Sequence, residues 1–342
     1  MRRANNKLPA QTRIHTIVSN SNKKHVDVFN GDADGIISLL QLRFAEPRDA
    51  LLVTGVKRDI QLIEKVDLST TDSMTVLDIS MEKNATALAQ ALAVGIDTFY
   101  VDHHRYGEIP IHQKLTSIID TDANTCTALL VNEHLNGQYA NWAVAAAFGD
   151  NMTASAKALS KSHCLSDIQQ QQLNALGTYI NYNGYGQSVE DLHFHPAALF
   201  KALLKYPDPF DLIADQDSIF STLESAYHED MKCAQQSEIL VENDAIKVVL
   251  LADAPWSRRV SGVFGNELAN DSPTKAHGVL TYNDDGTSYT VSVRAPLENK
   301  QGADEVCIQF PTGGGRAGAA GINKLPLEQR DQFISTLYSY YN

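Results

Sequence analysis

The run Tyr100-Val101-Asp102-His103-His104-Arg105 ends an apolar, aromatic stretch on four groups that can bind a metal, move a proton or hold a phosphate. Aspartate oxygens and imidazole nitrogens are both ligands for divalent ions, and a guanidinium offers a fork of donors to an oxyanion. Alone, a histidine pair at a strand end reads equally well as a solvated loop entry. Further carboxylates stand in comparable places: Asp32 and Asp34 in "GDADG", Asp78 in "VLDIS", and Asp150 after "NWAVAAAFG". Any one of these is most simply a turn former or helix cap. Gathered together they would repel one another unless cations lay among them, and a mixed carboxylate and imidazole set suits two divalent ions such as manganese.

The elements that must gather them alternate. "HVDVFN" (25–30) reads as a strand, "GDADG" as a turn and "IISLLQLRF" as a helix. Residues 51–56, 73–80 and 96–104 read as strands, and 84–95 as a helix ending on Gly95. "TSIID" reads as a short strand, with "TCTALLVNEHLNG" and the small-residue "YANWAVAAAFGD" as helices. Such alternation predicts an α/β fold with a parallel sheet covered by helices on both faces. The carboxyl ends of its strands face one crevice, where ligands bind. Asp32, Asp34, Asp78, Asp102 and His103 all fall at such ends, and Asp150 closes the alanine-rich helix.

Composition narrows the class. At 342 residues the chain is about two domains' worth, and 43% hydrophobic with 20% charged residues argues for a globular chain rather than a disordered or fibrous one. The cysteines are scattered without CxxC spacing, so neither a zinc knuckle nor a disulfide framework is expected, and a reducing compartment is. No apolar stretch nears the roughly 20 residues of a spanning helix, and "MRRANNKLPAQTRIHT" lacks the apolar segment of a signal peptide. A cytoplasmic location without a membrane partner is therefore expected. Net charge is −13; residues 1–24 hold six basic residues and no acid, leaving −19 for the rest. That body disfavours a track for long nucleic acid, whose affinity comes from neutralised phosphates. A short phosphorylated ligand remains compatible, since a bound divalent metal supplies local positive charge. The basic arm reads as a flexible tail.

Residues 161–235 are rich in helix formers and are predicted to bridge two domains. His193 and His195 lie in a loop leading to a helix started by Pro196 and are placed outside the site. Beyond Asp244, two β-patterned runs flank an Asn-Asp-Asp-Gly turn and predict a hairpin. In "TGGGRAGAAG", Gly313, Gly315 and Gly318 satisfy G-x-G-x-x-G, yet no βαβ unit is expected before Asn342 and no Walker lysine follows, so a nucleotide-cofactor fingerprint is rejected. Gly313, Gly314 and Gly315 read instead as a loop whose bare backbone can approach a phosphate or base edge, or as a turn for tight packing. Arg316 adds a cation suited to bidentate recognition, and Arg294 on the preceding strand is a second.

The ordered set "GDADGIIS", "LDIS", "VDHHR" and "AAFGDN", with "TGGGRAGAAGIN" near the C-terminus, resembles the DHH-superfamily phosphoesterases that carry a DHH-associated domain, especially their oligoribonuclease and dinucleotide phosphodiesterase members. The resemblance runs from about residue 25 onward. It implies a DHH metal-binding catalytic domain at 25–160, a helical linker at 161–235, and a smaller α/β substrate-binding domain at 236–342 across a cleft. It further implies that Asp32, Asp34, Asp78, His103 and Asp150 hold two divalent metal ions, with Asp78 bridging them and Mn2+ the expected metal. His104 would lie at the scissile phosphate with Arg105 as helper, Asp102 would support the histidines, and Arg294, Gly313, Gly314, Gly315 and Arg316 would bind substrate. Two such ions provide a hydroxide for in-line attack on phosphorus. Many members carry a histidine four residues before the first motif aspartate. Here that position is Val28, with Asn30 the nearest polar substitute, so a weaker first metal site is expected. The usual GGGH also reads GGGR, which implies altered specificity. The expected substrate is a very short oligonucleotide, above all a 5′-phosphorylated linear dinucleotide such as pGpG. The alternatives are a 3′-phosphoadenosine phosphate phosphatase, a single-strand exonuclease, a cyclic dinucleotide phosphodiesterase and a non-catalytic nucleotide sensor. A homodimer stays open.

Overall fold

β-Branched runs interleaved with helical periodicity build the first half of the chain. In the computed structural model, which describes residues 24–122 and 124–342, they form β1 (Lys24–Phe29), α1 (Ala33–Ala45), β2 (Ala50–Val53), β3 (Thr71–Leu77), α2 (Met81–Ala93), β4 (Asp97–Asp102) and β5 (Leu115–Ile119). The basic arm expected over residues 1–24 lies, apart from Lys24, outside the described residues. The strands pair in parallel in the order β2-β1-β3-β4-β5. Strand order therefore reverses between β1 and β3, and the crevice at such a reversal is where open α/β sheets hold ligands. Both faces are covered, as a parallel sheet requires. Val26, Val28, Met74 and Val76 pack under Leu88, Ala91 and Leu92 of α2. Phe29, Leu77 and Val101 meet the helices on the other face.

Those helices are α1 with α3 (Thr127–His134), α4 (Ala140–Gly149), α5 (Thr153–Ser162), α6 (Asp167–Gly184), α7 (Pro196–Leu203), α8 (Pro209–Ala214) and α9 (Ile219–Gln235). Their starts follow local chemistry: Asp32 caps α1 by accepting from Gly35 N, Ser166 and Gln169 form a capping box on α6, and prolines open α7 and α8. The segment expected to bridge domains packs against the first sheet, since Leu173, Leu176, Ile180, Leu199 and Phe220 share a core with Ile36 and Trp142. Helices α4 and α6 approach so closely that a Cβ on Gly177 would run into the carbonyl oxygen of Ala145.

The second half forms β6 (Glu238–Glu242), β7 (Ile246–Leu250), α10 (Pro255–Asp271), β8 (Ala276–Tyr282), β9 (Ser288–Arg294), α11 (Ala303–Cys307), β10 (Gly313–Arg316), β11 (Ala319–Pro326) and α12 (Arg330–Tyr341). Its sheet runs β10-β11-β9-β8-β7-β6, and only the β7–β8 pair is parallel. The predicted hairpin is β8–β9. The glycines read as a loop form an edge strand instead, because β10 pairs with β11 through its backbone and needs no side chains to do so. A buried network ties the halves together. Tyr182 of α6 and Arg259 of α10 both donate to Asp230 of α9, Arg259 Nη1 also donates to Asp191 O at 2.6 Å, and His193 Nε2 lies 2.8 Å from Tyr182 Oη. His195 caps α7.

Candidate active site

The motif residues sit just beyond β1, β3 and β4, except Asp150, which caps the C-terminus of α4. Beyond β1 the chain turns directly into α1, which places Asp32 at its cap and Asp34 in its first turn. Asp34 is aimed by the start of α3: Thr127 N donates to Oδ2 at 2.8 Å and Ala128 N to Oδ1 at 2.7 Å. Asp78 follows β3 with φ +59°, a left-handed conformation that aspartate tolerates better than most residues. Its N–H donates to Val101 O at 3.1 Å, and its Oδ1 accepts from Thr127 Oγ1 at 3.1 Å. His103 follows β4 and donates from Nδ1 to Thr125 O at 3.0 Å, which leaves the Nε2 lone pair free. That Nε2 lies 3.7 Å from Asp34 Oδ2, 3.6 Å from Asp78 Oδ1 and 3.7 Å from Asp150 Oδ2.

Such separations are too long for hydrogen bonds and match donors that share an ion with bonds of roughly 2.0–2.2 Å. Asp34, His103 and Asp150 form one close donor triad, and Asp78, His103 and His104 form another. The charges agree with the geometry. Burial, then the carboxylates of Asp34, Asp32 and Asp150, push the Asp78 carboxyl well above the usual range. Burial also raises that of Asp150, with Asp34 and Asp32 adding to it against the pull of Lys57. A buried set of carboxylates that resists ionising when bare has the donor chemistry of a divalent-cation site.

Sequence reasoning missed Lys57 and Asn181. Lys57 Nζ donates to Asp32 Oδ2 at 2.6 Å, Asn181 Oδ1 at 3.2 Å and Asp150 Oδ1 at 3.4 Å. Burial alone would raise the Asp32 carboxyl, but this ammonium outweighs it and holds the group below its ordinary value. The signal was available: Lys57 follows β2, whose carboxyl end opens on the same crevice as that of β1. Asn181 belongs to α6 and carried no signal.

His104 belongs to the second triad, its Nδ1 3.7 Å from Asp78 Oδ1. Its Nδ1–H donates to Asp102 Oδ1 at 2.8 Å, and Asp102 is fully buried. Burial opposes the imidazolium, yet the Asp102 hydrogen bond and the surrounding carboxylates prevail and raise the His104 pKa. His103, His104, Arg105, Thr121 and Arg316 line one cleft of about 590 Å3. Arg316 stands on the open edge of β10, and neither it nor Arg105 forms a side-chain ion pair among the described residues. Arg294 shares a sheet face with Arg316, because both pair across Ala319. It lies under α10, donating to Asn266 Oδ1 at 2.7 Å and Gly262 O at 3.0 Å. No carboxylate pairs with it among the described residues, and burial lowers its pKa. Of the glycines, Gly315 has φ +147° and abuts Ala320, whereas Gly314 faces open space. The structure thus brings Asp32, Asp34, Asp78, His103 and Asp150 to one crevice and lines one cleft with both His104 and Arg316. It places Arg294 under α10 and gives Gly313 and Gly315 packing duties.

No family model matches the chain, and neither does any curated protein. Solved structures do. A DHH-domain protein described as belonging to a family of ribosomal proteins superposes with TM-score 0.59 at 12% identity, covering 93% of this chain and 86% of its own. Exonuclease RecJ bound to manganese gives 0.54 at 16%, covering 93% and 90%. The pGpG-specific phosphodiesterase PggH of Vibrio cholerae gives 0.54 at 14%, covering 94% and 99%. The chain carries the fold of the DHH-domain proteins.

Proposed function

With that fold as premise, we propose that the protein is a metal-dependent phosphodiesterase that hydrolyses very short oligonucleotides, above all 5′-phosphorylated linear dinucleotides such as pGpG, to mononucleotides. The observation that carries this reading is the cleft shared by the metal-donor residue His103, by His104 and Arg105, and by the guanidinium of Arg316, which forms no ion pair among the described residues. The cleft's volume of about 590 Å3 lies in the range that holds a small ligand. The net charge of −13 argues the same way.

Asp34, Asp78, His103 and Asp150 would hold a divalent cation, which supplies positive charge for the phosphoryl oxygens and acidifies water. The chain's own groups do the rest. Asp102 holds His104 by Nδ1 and favours its imidazolium, so Nε2–H is available to a non-bridging phosphate oxygen. Arg105 stands beside it. Arg316 holds the part of the substrate remote from the reacting phosphorus and so aligns it. Water adds to phosphorus, the bond to the 3′ oxygen of the leaving nucleoside breaks, and that oxygen takes up a proton. Two 5′-mononucleotides result.

The test is a panel of end-labelled single strands, from dinucleotides to about 20 nucleotides, incubated with Mn2+, Mg2+ or a chelator. Metal-dependent release of mononucleotide from dinucleotides, falling steeply with length, supports the reading. The likeness to RecJ favours a second one, single-strand exonuclease action, which predicts that the longest strands are degraded as fast as dinucleotides. Absence of turnover on every strand would leave the protein a nucleotide binder.

A further inference from the structure

The crevice at the strand ends is asymmetric. The side where Asp34, Asp78, His103 and Asp150 converge has donors with free lone pairs, and Lys57 reaches it through Asp150 Oδ1, at 3.4 Å. The other side, around Asp32, lacks both the ligands and the vacancy for an ion. Val28 stands at the position where relatives by motif carry histidine, and it is fully buried among Val26, Met74 and Val76. Asn30 does not replace it, because its Nδ2 donates to Lys57 O at 3.1 Å and its Oδ1 accepts from Asp32 N at 3.2 Å. Asp32 belongs to neither close donor triad.

What meets Asp32 is an ammonium. Lys57 Nζ has three protons and three oxygen neighbours, on Asp32, Asn181 and Asp150. Its backbone is fixed from both sides, since Lys57 N donates to Gly184 O at 2.8 Å while Asn30 holds its carbonyl. Tyr185 closes over it, with Nζ 5.6 Å from the ring centre. A divalent ion on Asp32 would have to share that carboxylate with a cation already 2.6 Å away, and like charges so close repel strongly at low effective dielectric.

We propose that the Lys57 ammonium takes the place of the first of the two metal ions, so that the protein works with one divalent cation held by Asp34, Asp78, His103 and Asp150. This rests on the metal-dependent reading above. Lys57 is then a positioning residue: it neutralises Asp32 and shares Asp150 with the ion. Where the motif's histidine would bring an imidazole ligand, this chain has the buried Val28, and the single charge of Lys57 with the amide oxygen of Asn181 stands beside Asp32 instead.

Metal content and Mn2+ electron paramagnetic resonance on the full chain test this without reference to turnover. The wild type should retain one tightly held manganese per chain and show the spectrum of an isolated ion. Val28→His alone should still hold one, because Lys57 remains. Val28→His with Lys57→Ala should hold two, with a spectrum broadened by coupling between them. Lys57→Ala alone should lose dinucleotide turnover about 100-fold at micromolar Mn2+ and regain part of it at millimolar Mn2+, where an ion can enter beside Asp32. Two tight, coupled ions in the wild type would overturn the proposal, and so would unchanged metal dependence in Lys57→Ala. A wild type that retains no metal would instead sink the metal-dependent reading itself, so the two failures are told apart by the unmodified protein alone, whatever the variants do to folding.

Discussion

Replacing Arg316 by alanine isolates the contribution of β10 to the cleft. Arg316 is exposed on an edge strand, and its side chain makes no ion pair or hydrogen bond among the described residues, so its removal breaks nothing inside the protein. Surface changes of that kind stay within about 0.5 kcal/mol of wild-type stability. The effect should therefore appear in catalysis alone. A hydrogen bond to a charged group contributes about 1.5–3 kcal/mol, and a guanidinium that stays partly solvated belongs in the lower half of that range. At 1.36 kcal/mol per decade this is a loss of about 10- to 40-fold in kcat/KM on a 5′-phosphorylated dinucleotide. The control is bis-p-nitrophenyl phosphate, a diester too small to span the cleft, whose hydrolysis should stay within about twofold of wild type. Both substrates are assayed with saturating Mn2+ at two ionic strengths, and the defect on the dinucleotide should shrink as salt screens the wild-type contact. An equal loss on both substrates would refute the reasoning, since it would make Arg316 part of the reacting centre or of the fold. No loss on the dinucleotide would remove β10 from the substrate site.

Three further expectations concern the same scaffold. Gly315→Ala should lower dinucleotide turnover and thermal stability together, by about 1–3 kcal/mol in the latter, because its φ of +147° and its contact with Ala320 leave no place for a Cβ; Gly314→Ala, which faces open space, should leave the melting temperature unchanged. Asp78→Asn should abolish turnover and yet raise the melting temperature of chelator-treated protein at neutral pH. The Asp78 carboxyl is raised, so in wild type without metal stability falls as pH climbs from the ordinary carboxylate range through the raised value, and the asparagine variant should lose that slope. Asp230→Ala strands the buried Arg259 guanidinium and should cost about 3–5 kcal/mol in urea unfolding. Burial opposes the Asp230 and Asp27 carboxylates, but the neighbouring His193 with hydrogen bonds from Arg259 and Tyr182 to the one, and His25 with Arg43 to the other, hold both below the ordinary value. Their stabilisation is present above that value and is lost as pH falls through the lowered ones, so the acid limb of the wild-type stability curve should flatten in Asp230→Ala.

The aspartates and His103 were legible because each stands at the carboxyl end of a strand or helix whose apolar pattern declares where it stops, and a parallel sheet aims all such ends one way. Lys57 was hidden by the same logic applied too narrowly. The run 51–56 has the pattern of a strand, and such a pattern does not say what the carboxyl end delivers; β2 stops at Val53, leaving Lys57 on the crevice side. Asn181 could not be read from pattern, since nothing in a helical repeat says which buried polar residue meets a site formed elsewhere. The strand β10 escaped because glycine carries no β propensity; its pairing is decided by the neighbouring β11, whose alternation "AAGINKLP" was the available cue. The bridge expected at 161–235 was legible as helix but not as core, because amphipathic periodicity gives a buried face without naming what buries it.

The contact between α4 and α6 has a bearing on how this protein can diverge. Side chains can be exchanged in most helix pairs if total volume is kept, but at Gly177 the neighbour is a carbonyl oxygen, and main chain offers nothing to trade. Asn181, one helical turn further along α6, inherits its placement from that contact. Drift in substrate preference would therefore be written at the rim, in Arg316, Arg105 and the loop from His103 to Gly107, where exposed residues change at little structural cost. Among lineages sharing this architecture, sequence variation should be steep along that rim and nearly flat where the two helices touch, so that glycine at 177 becomes a better mark of common descent than the exposed groups of the cleft.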